Sequence, residues 1–519
     1  MSLTSTQPRP TRAPASNSWR SVLWAEWVKL RTVRGWIIAL VLGAAAMFTF
    51  CYLVANGPTV GKDSNGPRPV VPNGPGGQGI ADTYEFVHHT LTRNGTITAQ
   101  ITSLTGMTAT SQTNVQGSLS SSHPELASWA KAGLLVTSST RQGSAYAAVI
   151  ATGSHGIRFQ WNYTHDTAGP PGAVTKATPR WVRLVRSGET ITGYTSADGH
   201  RWTEVGSTRL PGLPAAVQAG TFVTSPAAFS GSAASPTLAT ATFDNITVNG
   251  SPAHTASWQG QDIGTAKSSF YPTLAPGNYH QAGNSVVVSG SGDIAPAVVE
   301  GLAGTHTASS SLSFGLIVGL LVVIVVASMF VTSEYRRGLI RTTFTAIPAR
   351  GRDLAAKSLV IGALSFLLSA AVMTVAVPLG QHLLRSHGNY VYYASTLTQA
   401  RIAIGASAVI GIAAIIVTAL SALVRRPAAA ITAGVGVILA PFIVASAAGG
   451  GIAAWLLRLT PAAGMSMLQA LTQYHQVSYA YTITNGYYPL APLAGLAVLC
   501  GYALLALTAA TVLLNRRDA

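Results

Sequence analysis

Hydrophobic and polar positions along this chain follow two rhythms. Six runs of about twenty residues (36–55, 312–332, 358–380, 402–424, 427–449 and 489–514) contain no charged residue. A helix of about twenty residues matches the roughly 30 Å hydrocarbon core of a bilayer. Many of the runs are rich in Ala, Gly and Ser, which lets helix backbones approach closely inside a bundle. One such run alone could be a buried core helix; six together predict a transmembrane bundle.

The second rhythm occupies residues 80 to about 250. Short alternating runs rich in Thr, Val and aromatics fall at 96–101, 131–136, 146–151, 157–163, 181–186, 190–195, 202–205 and 240–248, separated by Gly, Pro and Ser. Strands at this spacing predict an all-β sandwich. Asp198-Gly199, between Tyr194 and Trp202, suits a hairpin turn because Gly accepts positive φ. Residues 251–311 are looser, with one strand expected at 285–289. Residues 56–79 form a Gly/Pro-rich linker, and residues 1–19 have the composition of a disordered tail. Residues 18–34 set Leu23, Trp24, Trp27, Val28 and Leu30 near helical spacing among Glu26, Lys29 and Arg31. They predict a basic amphipathic helix in the membrane interface.

The expected fold class is therefore a polytopic α-helical membrane protein of six transmembrane helices, with an extracellular all-β sandwich inserted between the first two. In chain order this gives a tail and interfacial helix (1–35), helix 36–55, linker 56–79, sandwich 80–250 and a segment 251–311 able to complete it. Helix 312–332, a cytoplasmic loop 333–357, helices 358–380, 402–424 and 427–449, an outer loop 451–486 and helix 489–514 follow.

Charge fixes the orientation. Only 9% of residues are charged, against about 25% in soluble domains. Arg9, Arg12, Arg20, Lys29, Arg31, Arg34, Arg336, Arg337, Arg341, Arg350, Arg352, Lys357, Arg425, Arg426, Arg516 and Arg517 fall on one side of the runs. Only Arg385, Arg401 and Arg458 fall in the opposite short loops. The positive-inside rule makes the first side cytoplasmic, with both termini inside the cell membrane and residues 56–311 outside. The net charge of +16 then reports topology and requires no nucleic-acid partner. The first run is too long for a signal-peptide core and follows more than thirty residues, so it reads as an anchor. Phe48-Thr49-Phe50-Cys51 lacks the small residues of a lipoprotein cleavage site. Cys51 and Cys500 both lie in apolar runs, so neither staples the outer domain.

Motifs for catalysis are missing. A phosphate cradle needs G-x-x-x-x-G-K-[ST]; the nearest approach, Gly57-Pro58-Thr59-Val60-Gly61-Lys62-Asp63, is one residue short and ends in Asp. Asp82, Glu85, Asp166, Glu189, Asp198, Glu204 and Asp244 could supply a glycosidase pair, but none sits in a catalytic phrase. Asp198 belongs to its turn and Asp244 to a strand end. His88-His89 and His165 lack metal-ligand spacing and read as solvated. No catalytic residue, resident cofactor or metal is expected. Trp161, Tyr163 and Trp258 are candidate sugar-stacking surfaces, while Trp181 and Trp202 are expected in the core. The six runs hold no Asp, Glu, Lys or His, which argues against proton coupling and for energy supplied from outside the bundle. Their makeup suggests a hydrophobic or amphipathic cargo. Gly449-Gly450-Gly451, Trp455-Leu456-Leu457-Arg458 and Pro461 suggest a short re-entrant helical pair, sheltered by protein or water.

Two family resemblances rest on these residues. Trp24-Ala25-Glu26-Trp27-Val28-Lys29-Leu30-Arg31-Thr32, directly before a span, resembles the amino-terminal signature of bacterial ABC-2 type transporter permeases. Ser333-Glu334-Tyr335-Arg336-Arg337-Gly338-Leu339-Ile340-Arg341-Thr342-Thr343, then Ala346-Ile347-Pro348-Ala349-Arg350, resembles the same family, especially its actinobacterial members. The resemblance implies no covalent chemistry on this chain. It implies a separate ATP-binding subunit that holds ATP and Mg, and a second permease half of the same or another kind. The ATPase-coupling segment would be 334–357, with Glu334, Arg336, Arg337, Arg341, Phe344, Pro348, Arg350 and Arg352. The plainer alternative is that these arginines only anchor the inner face. Glu26 and Glu334 are expected to pair with neighbouring arginines.

The outer domain resembles concanavalin A-like (laminin G-like) sandwiches. Lys131-Ala132-Gly133-Leu134, Trp181-Val182-Arg183-Leu184-Val185-Arg186, Gly193-Tyr194-Thr195-Ser196-Ala197-Asp198-Gly199 with Trp202, and Phe243-Asp244-Asn245-Ile246 carry this likeness. Gly290-Ser291-Gly292-Asp293-Ile294 lies late in the insert, which suggests a permuted sandwich closed by residues 282–294. Such a domain implies a glycan or cell-wall ligand as a possible outer partner. Three readings stay open: the membrane subunit of an ABC exporter, a membrane-anchored carbohydrate-binding or sensor protein, and a membrane-tethered glycosidase.

Overall fold

The computed structural model describes residues 19–57, 70–110, 119–230, 233–253, 258–264, 271–299, 304–336, 350–448 and 450–516. Within them, six helices are long and apolar enough to cross a membrane: Arg34–Asn56, Leu312–Arg336, Arg350–Ser386, Thr396–Val424, Pro427–Ala448 and Pro492–Arg516. We number these apolar helices one to six. The third begins at Arg350, ahead of the uncharged run at 358, because Asp353 and Lys357 stand one turn apart and pair at 2.5 Å. Arg425, in the left-handed conformation at φ 61°, and Pro427 in the first turn of helix five make the tight reversal after helix four. Leu312, Leu316, Leu320, Ile324, Ile410 and Val417 are among the residues buried at the bundle's centre. Trp19–Thr32 forms a separate short helix that ends just before helix one.

Contacts sort the helix termini into two ends. Arg350 Nη1 donates to the Leu514 carbonyl at 2.6 Å, and the Arg425 guanidinium stands 5.3 Å from the Tyr335 ring. With Arg34 and Arg516, these residues make a basic end. At the other end, Thr305–His306 pairs in parallel with Tyr390–Val391, tying the entry of helix two to the connection between helices three and four.

The β region is two antiparallel sheets packed face to face. One runs, in spatial order, Thr203–Arg209, Thr190–Ser196, Arg180–Ser187, Gly95–Ala109, Thr237–Val248, Ser285–Gly290 and Asn278–Ala282. The other runs Gln259–Ile263, Tyr84–Thr92, Ala216–Thr224, Lys131–Thr137, Tyr146–Thr152, Ile157–Trp161 and His165–Ala168. Ile97, Leu134, Val149, Phe159, Val182 and Phe243 fill the space between them. In Arg180–Ser187 burial alternates, as on a sheet with one wet face; in Lys131–Thr137 and Tyr146–Thr152 every residue is buried. The second sheet is covered on its far side by another apolar cluster, including Ile80, Phe86, Tyr146, Ile150, Tyr163 and Phe222.

Several expectations of exposure and burial fail. Tyr163 and Trp258 are only 2% and 7% exposed, and His88 is buried against Gln218, with Nδ1 2.9 Å from Oε1. His89 leans on the Trp258 ring at 4.7 Å. Trp181 and Trp202 are half-buried rather than core, and the Arg183 guanidinium lies 3.7 Å over the Trp202 ring.

Candidate functional site

At the basic end, a lysine holds three carboxylates. Lys357 Nζ reaches Asp353 Oδ2 at 2.5 Å, Glu334 Oε2 at 3.2 Å and Glu26 Oε1 at 3.4 Å. Lys29 Nζ reaches Glu26 Oε1 at 2.5 Å and Glu334 Oε1 at 3.4 Å. Five charges from three helices thus meet in one place. The helical spacing of Glu26 and Lys29, and of Asp353 and Lys357, puts each pair on one face. Glu26 is wholly buried, and burial pushes its carboxyl above the ordinary range against the pull of Lys357 and Lys29. Its Oε2 has no hydrogen-bond partner among the described residues. A buried ionic cluster adds little net stability over apolar packing, but it fixes register, because any other alignment strands a charge. Here it fixes the short Trp19–Thr32 helix against the end of helix two and the start of helix three.

The expected partners were arginines; lysines occupy that role. Glu334 is in the cluster, Arg350 caps the end of helix six through the Leu514 carbonyl, and Arg352 is exposed in the first turn of helix three. Arg336 ends helix two. Arg337, Arg341, Phe344 and Pro348 lie outside the described residues. On the short helix, Glu26 and Lys29 turn into the cluster, Trp27 packs against the bundle, and Trp24 (65% exposed) and Arg31 face outward. Lys357 and Asp353 were not singled out from the sequence as a centre. Their i,i+4 spacing, opposite in sign, was the available signal.

At the other end, the β region is fastened to the segment before helix six. Lys131 and Asp293, both fully buried, pair at 2.5 Å, and Lys131 Nζ also donates to the Ile294 carbonyl at 2.8 Å. Tyr479 donates to the other oxygen of Asp293, while Trp129 Nε1 donates to Ser478 Oγ at 3.0 Å and Gln476 Nε2 to the Tyr163 carbonyl at 3.0 Å. Arg158 and Asp166 form a bidentate pair with His475 alongside at 3.8 Å from Asp166. Val71, Tyr271 and Val298 from the β side pack with Tyr392, Val477 and Tyr487 from the bundle side. Beside this seam lies a cavity of about 550 Å³, between Phe229 of the β region, helix five, the short Gly450–Leu459 helix and the loop that follows.

Two further carboxyls are perturbed. Burial pushes Asp82 up to about 7, against hydrogen bonds from the Gly143 amide and the Tyr163 hydroxyl. Burial also pushes Glu85 up to about 7, helped by Asp262 directly across the strand pair. Asp198 is held down to about 2 by the Arg201 and His200 amides, as its turn demands. Among the described residues, no three His, Cys, Asp or Glu side chains come together as a metal site.

No protein-family model matches the sequence, and no curated protein does. Among solved structures, scytalido-glutamic peptidase with a transition-state analogue inhibitor aligns over 40% of this chain and 98% of its own, at 6% identity and a TM-score of 0.26. A functionally unknown protein from Saccharomyces cerevisiae aligns over 34% of this chain and 72% of its own, at 12% identity and a TM-score of 0.19. At such scores neither likeness carries an argument.

Proposed function

We propose that this chain is the membrane-embedded half of an ATP-driven exporter. It would work with a separate ATP-binding subunit and a second permease half, and move a hydrophobic or amphipathic molecule across the cell membrane. The lysine-centred cluster carries this reading. Lys357 joins the amino-terminal helix to both helices that flank residues 337–349. That connection is where the resemblance to ABC-2 permeases puts the ATPase contact, through Arg336, Arg337, Arg341 and Arg350. A force applied there reaches three helices together, since separating them would expose unpaired buried charge. The six helices span the bilayer, the basic end faces the cytoplasm, and the β region lies outside. ATP and Mg belong to the partner.

The carbohydrate-binding and glycosidase readings have less support: of the three rings offered to sugars, Tyr163 and Trp258 are buried, and Trp161 is half-buried with the His165 ring stacked on it. The test is purification of the tagged full chain from its native membrane in mild detergent. A P-loop ATPase is expected to co-elute, and Lys357→Met is expected to weaken its retention while the chain still reaches the membrane. A chain that elutes without any nucleotide-binding polypeptide would sink the proposal.

A further inference from the structure

The cavity beside the seam has a divided lining. Ala445, Ala453 and Leu457 give it an apolar wall, whereas Gln473, Tyr481 and Thr484 give it a polar one. Arg458 also lines it. Three arginines stand near helix ends here, Arg385, Arg401 and Arg458, and two are engaged: Arg401 donates to the Met467 and Gln469 carbonyls, and Arg385 reaches Gln381 Oε1 at 3.5 Å. Arg458 makes no hydrogen bond or ion pair among the described residues.

The short helix that carries Arg458 has two faces. Ala453 and Leu457, four apart, are buried toward the cavity, while Ile452, Trp455 and Leu459 are 64%, 64% and 59% exposed. An apolar stripe with a tryptophan beside a cationic residue is the pattern of a segment at the lipid–headgroup boundary. Acyl chains covering Ile452 and Trp455 would therefore lie next to the cavity's apolar wall, with the guanidinium at headgroup depth. Arg forks onto phosphate with two parallel N–H donors, which a zwitterionic headgroup satisfies less well because it carries its own cation.

From this we infer that the cavity binds an anionic phospholipid-like amphiphile, its phosphate on Arg458 and its chain along Ala453 and Leu457. As the cargo class of the exporter, this inference rests on the reading above; as a binding site, it can be measured without ATP.

The full chain would be purified in mixed micelles of phosphatidylglycerol and phosphatidylcholine, and its retained lipids counted by native mass spectrometry. Retention of phosphatidylglycerol over phosphatidylcholine by about tenfold is expected, equivalent to about 1.4 kcal/mol. Arg458→Gln should abolish the preference, Arg458→Lys should keep part of it, and Ala453→Trp should lower retention of both lipids by filling the cavity. Equal retention by the unaltered chain, or a preference that survives Arg458→Gln, would overturn the inference. So would full displacement of the lipid by glycerol phosphate, which would make the site one for a soluble anion. If no ATPase co-elutes but the lipid preference holds, only the exporter reading falls; the reverse result removes only the lipid site.

Discussion

Tyr479 donates its hydroxyl to Asp293 Oδ2 at 2.5 Å, although the two residues belong to different parts of the chain. Asp293 sits at the end of the β region, and Tyr479 lies in the loop before helix six. Lys131 and the Ile294 amide use the other carboxylate oxygen, at 2.5 and 2.8 Å. The carboxylate is therefore satisfied on both oxygens although it is fully buried, which is the condition under which a buried charge is tolerated.

Tyr479→Phe keeps the ring and removes one charged hydrogen bond, so a loss of about 2 kcal/mol is expected. Lys131→Met leaves Asp293 without its counter-ion and should cost about 3–5 kcal/mol. Thermal unfolding of the full chain in detergent would rank them, and the reverse order would mean that the seam is not organised around Asp293.

At the basic end, Lys357→Met leaves Glu26, Glu334 and Asp353 with Lys29 alone, and should cost about 3–5 kcal/mol. Glu26→Gln removes a carboxylate whose Oε2 lacks a partner among the described residues and should cost no more than about 1 kcal/mol. The measurement is the unfolding midpoint of each variant. Equal losses would show that Lys357 is not the hub.

Asp82 and Glu85 make stability depend on pH in the direction opposite to ordinary acid unfolding. Both carboxyls are pushed up to about 7 in the fold, from ordinary values of 3.8 and 4.5. The folded chain thus binds more protons than the unfolded one between those limits. Their contribution is fully present below about pH 4 and is lost as pH rises through about 7. Over that whole window the change is at most on the order of 3–4 kcal/mol per group. Tryptophan-detected melting should give a higher midpoint at pH 5 than at pH 8, and Asp82→Asn with Glu85→Gln should flatten the difference. A midpoint that rises with pH in the unaltered chain and is unmoved by these substitutions would contradict this.

Gly495 lets helix six pack directly on the Pro461–Leu468 turn. A Cβ there would stand 2.1 Å from both the Ala463 carbonyl oxygen and Ser466 Oγ. Gly495→Val should lower stability by about 1–3 kcal/mol through overpacking against backbone. Tolerance without a shift in melting would mean that the two segments are not in contact.

The helices were legible because absence of charge over about twenty residues is hard to produce otherwise. The start of helix three was misjudged because a charge count cannot see that Asp353 and Lys357 neutralise one another. Alternation revealed Arg180–Ser187 and Thr190–Ser196, each with one half-buried face. It missed Tyr84–Thr92 and Ala216–Thr224, strands covered on both sides whose buried residues include the polar Glu85, His88, Thr221 and Thr224. The same double cover explains why Tyr163 and His88 were expected at the surface. The acid at the heart of the seam between the β region and the bundle, Asp293, was noticed only as part of a Gly-rich phrase. Its partners, Lys131 and Tyr479, lie too far away in sequence for any local pattern to connect them.

The parallel pairing of Thr305–His306 with Tyr390–Val391 has a mechanical consequence. Hydrogen bonds join the two segments side by side, so a displacement of one is passed to the other. The root of the β region is thereby geared to the hinge between helices three and four. A tilt of those helices would swing the whole sandwich like a vane, so a dye pair fixed to its far rim and to the bundle would read that tilt as a change in distance.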